Sequence, residues 1–209
     1  MKKLSVLGIV TLLTVSTSMC IQAQNLIQNG SFELPGYGFQ QKVTVGSMLL
    51  TDWVIGGTGD VFIHNGPANG GDYGPAEDGA DYLDLSGDGL PHATVYQDFP
   101  TTPGTQYSLK FYIGSSSYTP SPTINVQLCG SSILLDTTLT PISPSGNINW
   151  LTEEFIFVSN SATTRIGFWD TSSSDDNASY VDDVSVLTVP EPAMLLPIGL
   201  IGLLFCRRR

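Results

Sequence analysis

The chain has 209 residues and is poor in charge: 8 basic residues stand against 19 acidic ones, for a net charge of −11. Five of the basic residues sit at the ends, so residues 25–189 carry only Lys42, Lys110 and Arg165 against 18 acids. A body that acidic repels phosphate backbones and anionic lipid surfaces, which excludes nucleic acid as a partner and a peripheral anionic-membrane role.

Residues 1–23 open with Lys2 and Lys3 and continue through an apolar run over residues 4–15 to Ile21, Gln22 and Ala23. A basic start, an apolar middle and a small residue at the end make a secretory signal peptide, with signal peptidase cutting after Ala23.

Residues 24–188 hold no amphipathic helix of useful length. They hold short runs with a period of two, separated by Gly, Pro, Asn, Asp and Ser. Val95, Gln97 and Phe99 alternate with Tyr96 and Asp98. Tyr107, Leu109, Phe111 and Ile113 alternate with Ser108, Lys110 and Tyr112. Ile166 and Phe168 alternate with Arg165, Gly167 and Trp169, and Val184 and Val186 with Asp183 and Ser185. Successive side chains of a strand point to opposite faces, so this pattern predicts half-buried strands. About ten such runs joined by turns predict one all-β antiparallel sandwich. Cys129 is the single cysteine of this body, which therefore has no internal disulfide and relies on its core.

Outward aromatics are candidates for a sugar platform, because pyranose rings stack on flat apolar faces while their hydroxyls seek amides and carboxylates. Trp169, Tyr112 and Tyr82 fall on the phase opposite the apolar one and are the carbohydrate-binding candidates. Trp53 and Trp150 are expected in the core, and His64 and His92 in loops. There is no nucleophile elbow, paired-histidine zinc motif or nucleotide loop, and no pair of acids is singled out for glycoside hydrolysis, so an enzyme is not expected.

Residues 189–209 begin with Val189, Pro190, Glu191 and Pro192, continue through an uncharged stretch and end on Arg207, Arg208 and Arg209. Eighteen helical residues from Val189 would reach about 27 Å, close to a bilayer core of about 30 Å. The arginines would stay cytoplasmic and the body outside. This tripartite tail resembles the PEP-CTERM sorting signal of bacteria that make exopolysaccharide. The resemblance implies an exosortase as processing partner, a transient anchor in the inner membrane, and delivery to the outer surface or extracellular matrix.

The body has its own resemblance. In order it shows Asn29-Gly30-Ser31-Phe32-Glu33, Asp52-Trp53, Asp60-Val61-Phe62-Ile63, Gly79-Ala80-Asp81-Tyr82-Leu83-Asp84-Leu85, Tyr96-Gln97, and residues 103–111. It closes on Tyr180-Val181-Asp182-Asp183-Val184-Ser185-Val186. The series is similar to galactose-binding-like jelly rolls, and within them to a cell-wall-associated family of unknown function related to carbohydrate-binding modules. The resemblance implies a polysaccharide partner and a structural calcium held by Glu33 and Asp182, with Asp183 and the Asn29 carbonyl beside them. Asp182 is in phase with Val184 and points inward, where an uncompensated carboxylate is costly. Two further functions stay open: a structural matrix or biofilm protein without a small ligand, and a glycoside hydrolase.

Overall fold

A computed structural model describes residues 24–66, 74–89, 93–116, 122–141, 148–173 and 179–190. The signal peptide, His92, Glu191, Pro192 and the terminal arginines lie outside them. Among the described residues no helix is long and apolar enough to cross a membrane.

Eleven strands are described: β1 (Gln41–Thr44), β2 (Val54–Gly57), β3 (Asp60–Asn65), β4 (Asp81–Asp84), β5 (Ala93–Pro100), β6 (Gln106–Gly114), β7 (Ile124–Cys129), β8 (Ile133–Leu139), β9 (Leu151–Val158), β10 (Thr163–Asp170) and β11 (Tyr180–Thr188). They form two antiparallel sheets. One has six strands in the order β1-β3-β4-β11-β6-β9, the other five in the order β2-β5-β10-β7-β8. The expected all-β sandwich is the architecture found. The long alternating runs became the central strands: in β5 the order of burial is strictly in and out, and in β6 nearly so. The short β1 and β2, and β8 with its Leu-Leu-Asp-Thr-Thr run, carry no clean alternation and lie at or beside sheet edges.

The core lies between the sheets. Phe111 of β6 meets Phe168 of β10 edge to face at 5.2 Å, and Trp53 stands 6.2 Å from Phe168. All three are buried, Phe111 and Phe168 completely. Each such side chain contributes roughly 2–3 kcal/mol by leaving water. The expectation of Trp53 in the core is met.

The two ends of the body are tied together. Leu26 N donates to Val186 O at 2.9 Å, and Val184 N donates to Gly30 O at 3.0 Å. A Cβ on Gly30 would lie 2.0 Å from Val184 O, so only glycine permits this approach. β11 bulges between Asp182 and Ser185, with Asp183 at φ 44°. The bulge re-aims its side chains just where the first segment crosses.

Candidate functional site on the outer face of the five-stranded sheet

Strand register decides which outward side chains become neighbours. On β10 the outward positions are Arg165, Gly167 and Trp169. Arg165 pairs with Asp98 on β5 and Cys129 on β7, Gly167 with Tyr96 and Gln127, and Trp169 with Thr94 and Asn125. Continuing outward, Gln127 faces Asp136 and Asn125 faces Thr138 on β8, while Tyr96 faces Val54 and Thr94 faces Gly56 on β2. The face therefore carries two half-buried aromatics, one guanidinium, two amides and two carboxylates around a central glycine.

Gly167 forms the floor. A Cβ placed there would meet Trp169 Cζ3 and Tyr96 Cβ at 3.8 Å and Thr94 Cγ2 at 3.9 Å, ordinary contacts, so the missing side chain keeps the face low between these residues. A groove of about 340 Å³ follows, lined by Gly56, Gly57, Thr94, Tyr96, Gln127, Arg165, Gly167 and Trp169. A second hollow of about 280 Å³, lined by Asp98, Cys129, Gly130, Thr163 and Arg165, shares Arg165 with the first.

The groove's polar groups are held before any ligand arrives. Arg165 Nε and Nη2 donate to the two oxygens of Asp98 at 2.7 and 2.8 Å. Its guanidinium lies 4.0 Å from the centre of the Tyr96 ring, a cation–π stack. Those hydrogen bonds hold the Asp98 carboxyl below its usual range and push Arg165 higher still. On the other flank, Asn125 Nδ2 and Gln127 Nε2 donate to Asp136 at 2.9 and 3.2 Å, and Thr138 Oγ1 donates to Asn125 Oδ1 at 2.9 Å. A fixed array of this kind loses little side-chain entropy when a hydroxyl-rich ligand binds.

The three predicted sugar-binding aromatics do not share a surface. Trp169 belongs to the groove. Tyr112 is on β6, in the other sheet, where Lys110 Nζ donates to its hydroxyl at 2.8 Å and lies 4.6 Å from its ring centre. Tyr82 points away from Leu83 and Leu85 as its phase demands, yet it is fully buried, which corrects the expectation of an exposed ring. It lies in a second, small core on the outside of the six-stranded sheet. There it meets Tyr180 at 5.1 Å and Trp150 at 5.6 Å, edge to face in both cases, with Ile148 and Ala76 packed around them. Trp150 belongs to this small core rather than the main one and donates from Nε1 to Pro75 O at 3.0 Å. His64, expected in a loop, is a buried residue of β3 stacked 5.4 Å from Tyr82, with Nε2 3.1 Å from Asp84 Oδ2. Tyr96, Arg165, Gln127 and Asn125 were not singled out from the sequence, although Tyr96 and Arg165 sit on the outward phase of the clearest strands.

The residues expected to hold calcium use their oxygens otherwise. Glu33 Oε1 accepts from Ala80 N and Asp81 N at 2.7 Å each. Asp182, completely buried, accepts from Glu77 N at 2.8 Å and Asp78 N at 3.1 Å through Oδ2, and from Asp183 N at 2.8 Å through Oδ1. The Asn29 carbonyl accepts from Trp53 Nε1 at 2.9 Å and Phe32 N at 3.2 Å. Peptide and indole N–H groups thus engage Glu33 Oε1, both Asp182 oxygens and the Asn29 carbonyl. Asp183 projects from the bulge, where Lys110 and Asp78 are its charged neighbours. No group of three or more acidic, histidine or cysteine side chains among the described residues is placed to hold a metal. Glu33 and Asp182 clamp the 77–81 segment from two sides. Burial pushes the Asp182 carboxyl up to about 8, against the pull of its three N–H donors.

Three solved structures with similar folds are a carbohydrate-binding module, TmCBM61, in complex with β-1,4-galactotriose; the enzymatically active domain of tailspike protein 4 of bacteriophage CBA120; and an arabinose-bound α-L-arabinofuranosidase, MgGH51. The first is 12% identical with a TM-score of 0.50, covering 79% of this chain and 99% of its own. The second is 13% identical at 0.51 and covers 79% of this chain, and the third 12% identical at 0.51 and covers 78%; these matches span 21% and 26% of those chains. At such identities the likeness establishes the sandwich fold. No curated protein shows significant sequence similarity to the chain. The family model described as "Protein of unknown function (DUF642)" matches residues 25–186, and the chain belongs to that family.

Proposed function

We propose that the protein is an exported, non-catalytic module that binds a polysaccharide of the cell envelope or exopolysaccharide matrix. The groove over Gly167 carries this reading. A flat glycine floor between Trp169 and the Tyr96–Arg165 stack, flanked by preset amides, offers what an extended sugar chain needs: an apolar ring face to lie on and fixed partners for its hydroxyls. The solved module bound to β-1,4-galactotriose shares the fold over nearly its whole length and supports the ligand class. The non-catalytic reading rests on the sequence, which singles out no pair of acids for glycoside hydrolysis. Residues 1–23 are read as the export signal. Pro190, Glu191, Pro192 and the arginines that follow are read as the sorting signal processed by an exosortase.

Affinity electrophoresis of the mature body in gels containing β-1,4-galactan, xylan or β-glucan tests the reading. At least one gel retards the wild type, and Gly167→Leu, which fills the floor, weakens that retardation by at least about tenfold. A melting temperature for the variant checks that it is folded: its Cβ makes ordinary contacts, and the rest of the leucine projects into the groove. Equal retardation of wild type and Gly167→Leu in every gel would sink the assignment.

A further inference from the structure

This inference rests on the groove being a polysaccharide site and concerns which polysaccharides it admits. We propose that the groove selects by charge, holding protonated amino-sugar polymers and neutral chains and rejecting polyuronates. Binding a polyanion needs cations free to face it, and the body offers almost none. Residues 25–189 contain three, against 18 acids. Lys42 is shared between Asp60 at 2.7 Å and Asp88 at 2.6 Å. Lys110 is on the opposite sheet, tied to Tyr112. Arg165 alone lines the groove, and both carboxylate oxygens of Asp98 already take its N–H groups. A uronate there would have to compete with Asp98 for Arg165 while entering the field of the whole acidic surface. Within one Debye length, about 8–10 Å at ordinary salt, that field is only partly screened.

The same geometry favours an ammonium group. Asp136 is exposed on β8, one strand beyond Gln127 of the groove wall. Its hydrogen-bond donors are the neutral amides of Asn125 and Gln127, so they orient the carboxylate without cancelling its charge. An amino sugar lying on Trp169 and Gly167 and extending across β7 brings its ammonium toward that carboxylate, while a neutral sugar meets only the amides.

The test uses the mature body with three soluble polymers: chitosan, β-1,4-galactan and polygalacturonate, each measured by titration at 50 and 500 mM NaCl. Chitosan binds most tightly at low salt and weakens by about tenfold at high salt, galactan changes by less than about twofold, and polygalacturonate is not held. Asp136→Asn, which also loosens the amides of Asn125 and Gln127, weakens chitosan at least about threefold more than it weakens galactan, and Gly167→Leu weakens both. The Gly167→Leu arm separates groove binding from loose adhesion of a polycation to an acidic protein. Polygalacturonate binding that matches galactan and is lost in Gly167→Leu overturns charge selection and leaves the glycan site standing. Chitosan binding indifferent to both substitutions overturns it as well. Binding of no polymer in a Gly167-dependent manner removes the glycan site itself.

Discussion

The outer faces of the two sheets start from the same sequence pattern and end differently. Both present aromatics on the outward phase: Tyr96 and Trp169 on the five-stranded sheet, Tyr82, Tyr180 and Tyr112 on the six-stranded one. On the first, Gly56, Gly57 and Gly167 keep the surface low and the rings stay half-exposed around a groove. On the second, residues with Ala76, Ile148 and Trp150 fold over Tyr82 and Tyr180 and bury them completely. Glu33 and Asp182 fasten part of that cover through peptide N–H groups. An outward ring is thus a binding element or a packing element according to whether another segment lies on it.

The sharpest way to break this contrast is to remove one ring from each face. Tyr82→Ala should cost about 3–5 kcal/mol of stability, the range for deleting a large buried side chain. Trp169→Ala should cost less, about 1–2 kcal/mol, since the ring keeps part of its surface in solvent. Urea unfolding midpoints decide it, and equal losses would mean that the groove is as much core as the covered cluster.

Titration gives the next largest difference. The folded state raises the Asp182 carboxyl from an ordinary value of 3.8 to about 8. Between those values the folded state binds the extra proton, so this group's contribution to stability is present at low pH and is lost as pH rises through about 8. The slope is about 1.4 kcal/mol per pH unit at its steepest. Asp98, held low by Arg165, works in the opposite sense: its contribution is present at neutral pH and lost as pH falls through the acid range. Unfolding free energy should therefore decline from pH 5 to pH 8, and Asp182→Asn should flatten that decline. A flat wild-type profile would show that the three N–H donors outweigh burial.

The smallest effect is in binding. Trp169→Ala should weaken the retained polysaccharide by about 1–2 kcal/mol, roughly 5- to 30-fold, whereas Tyr112→Ala should leave it unchanged. Affinity electrophoresis of both variants checks the assignment of the ligand to one sheet, and a comparable loss in Tyr112→Ala would move the site.

Much of the fold could be read from the chain because the central strands are covered on one face and their alternation is clean, as in β5, β6 and β10. The edge elements were harder: β1 and β2 have four residues each, too few to show a period. The site was half legible. Alternation placed Trp169 and Tyr112 outward with equal force, but the sheet a strand joins is fixed by long-range pairing, which a local period does not carry. Tyr82 failed as a platform for a related reason, since its cover comes from segments distant in sequence. Gly167 did carry a local signal, a gap between two large outward residues on one strand. Its meaning emerged only when register set Tyr96 beside it.

The clasp between residues 26–30 and 184–186 has a mechanical consequence. Because both leads depart from one side of the body, a pull on the two flanks loads this short seam together with the last β11–β6 pairs, where Val189 N donates to Gln106 O at 3.0 Å. A bead knotted in this fashion can hang from a single tether, or sit within a longer string, without adding slack to either.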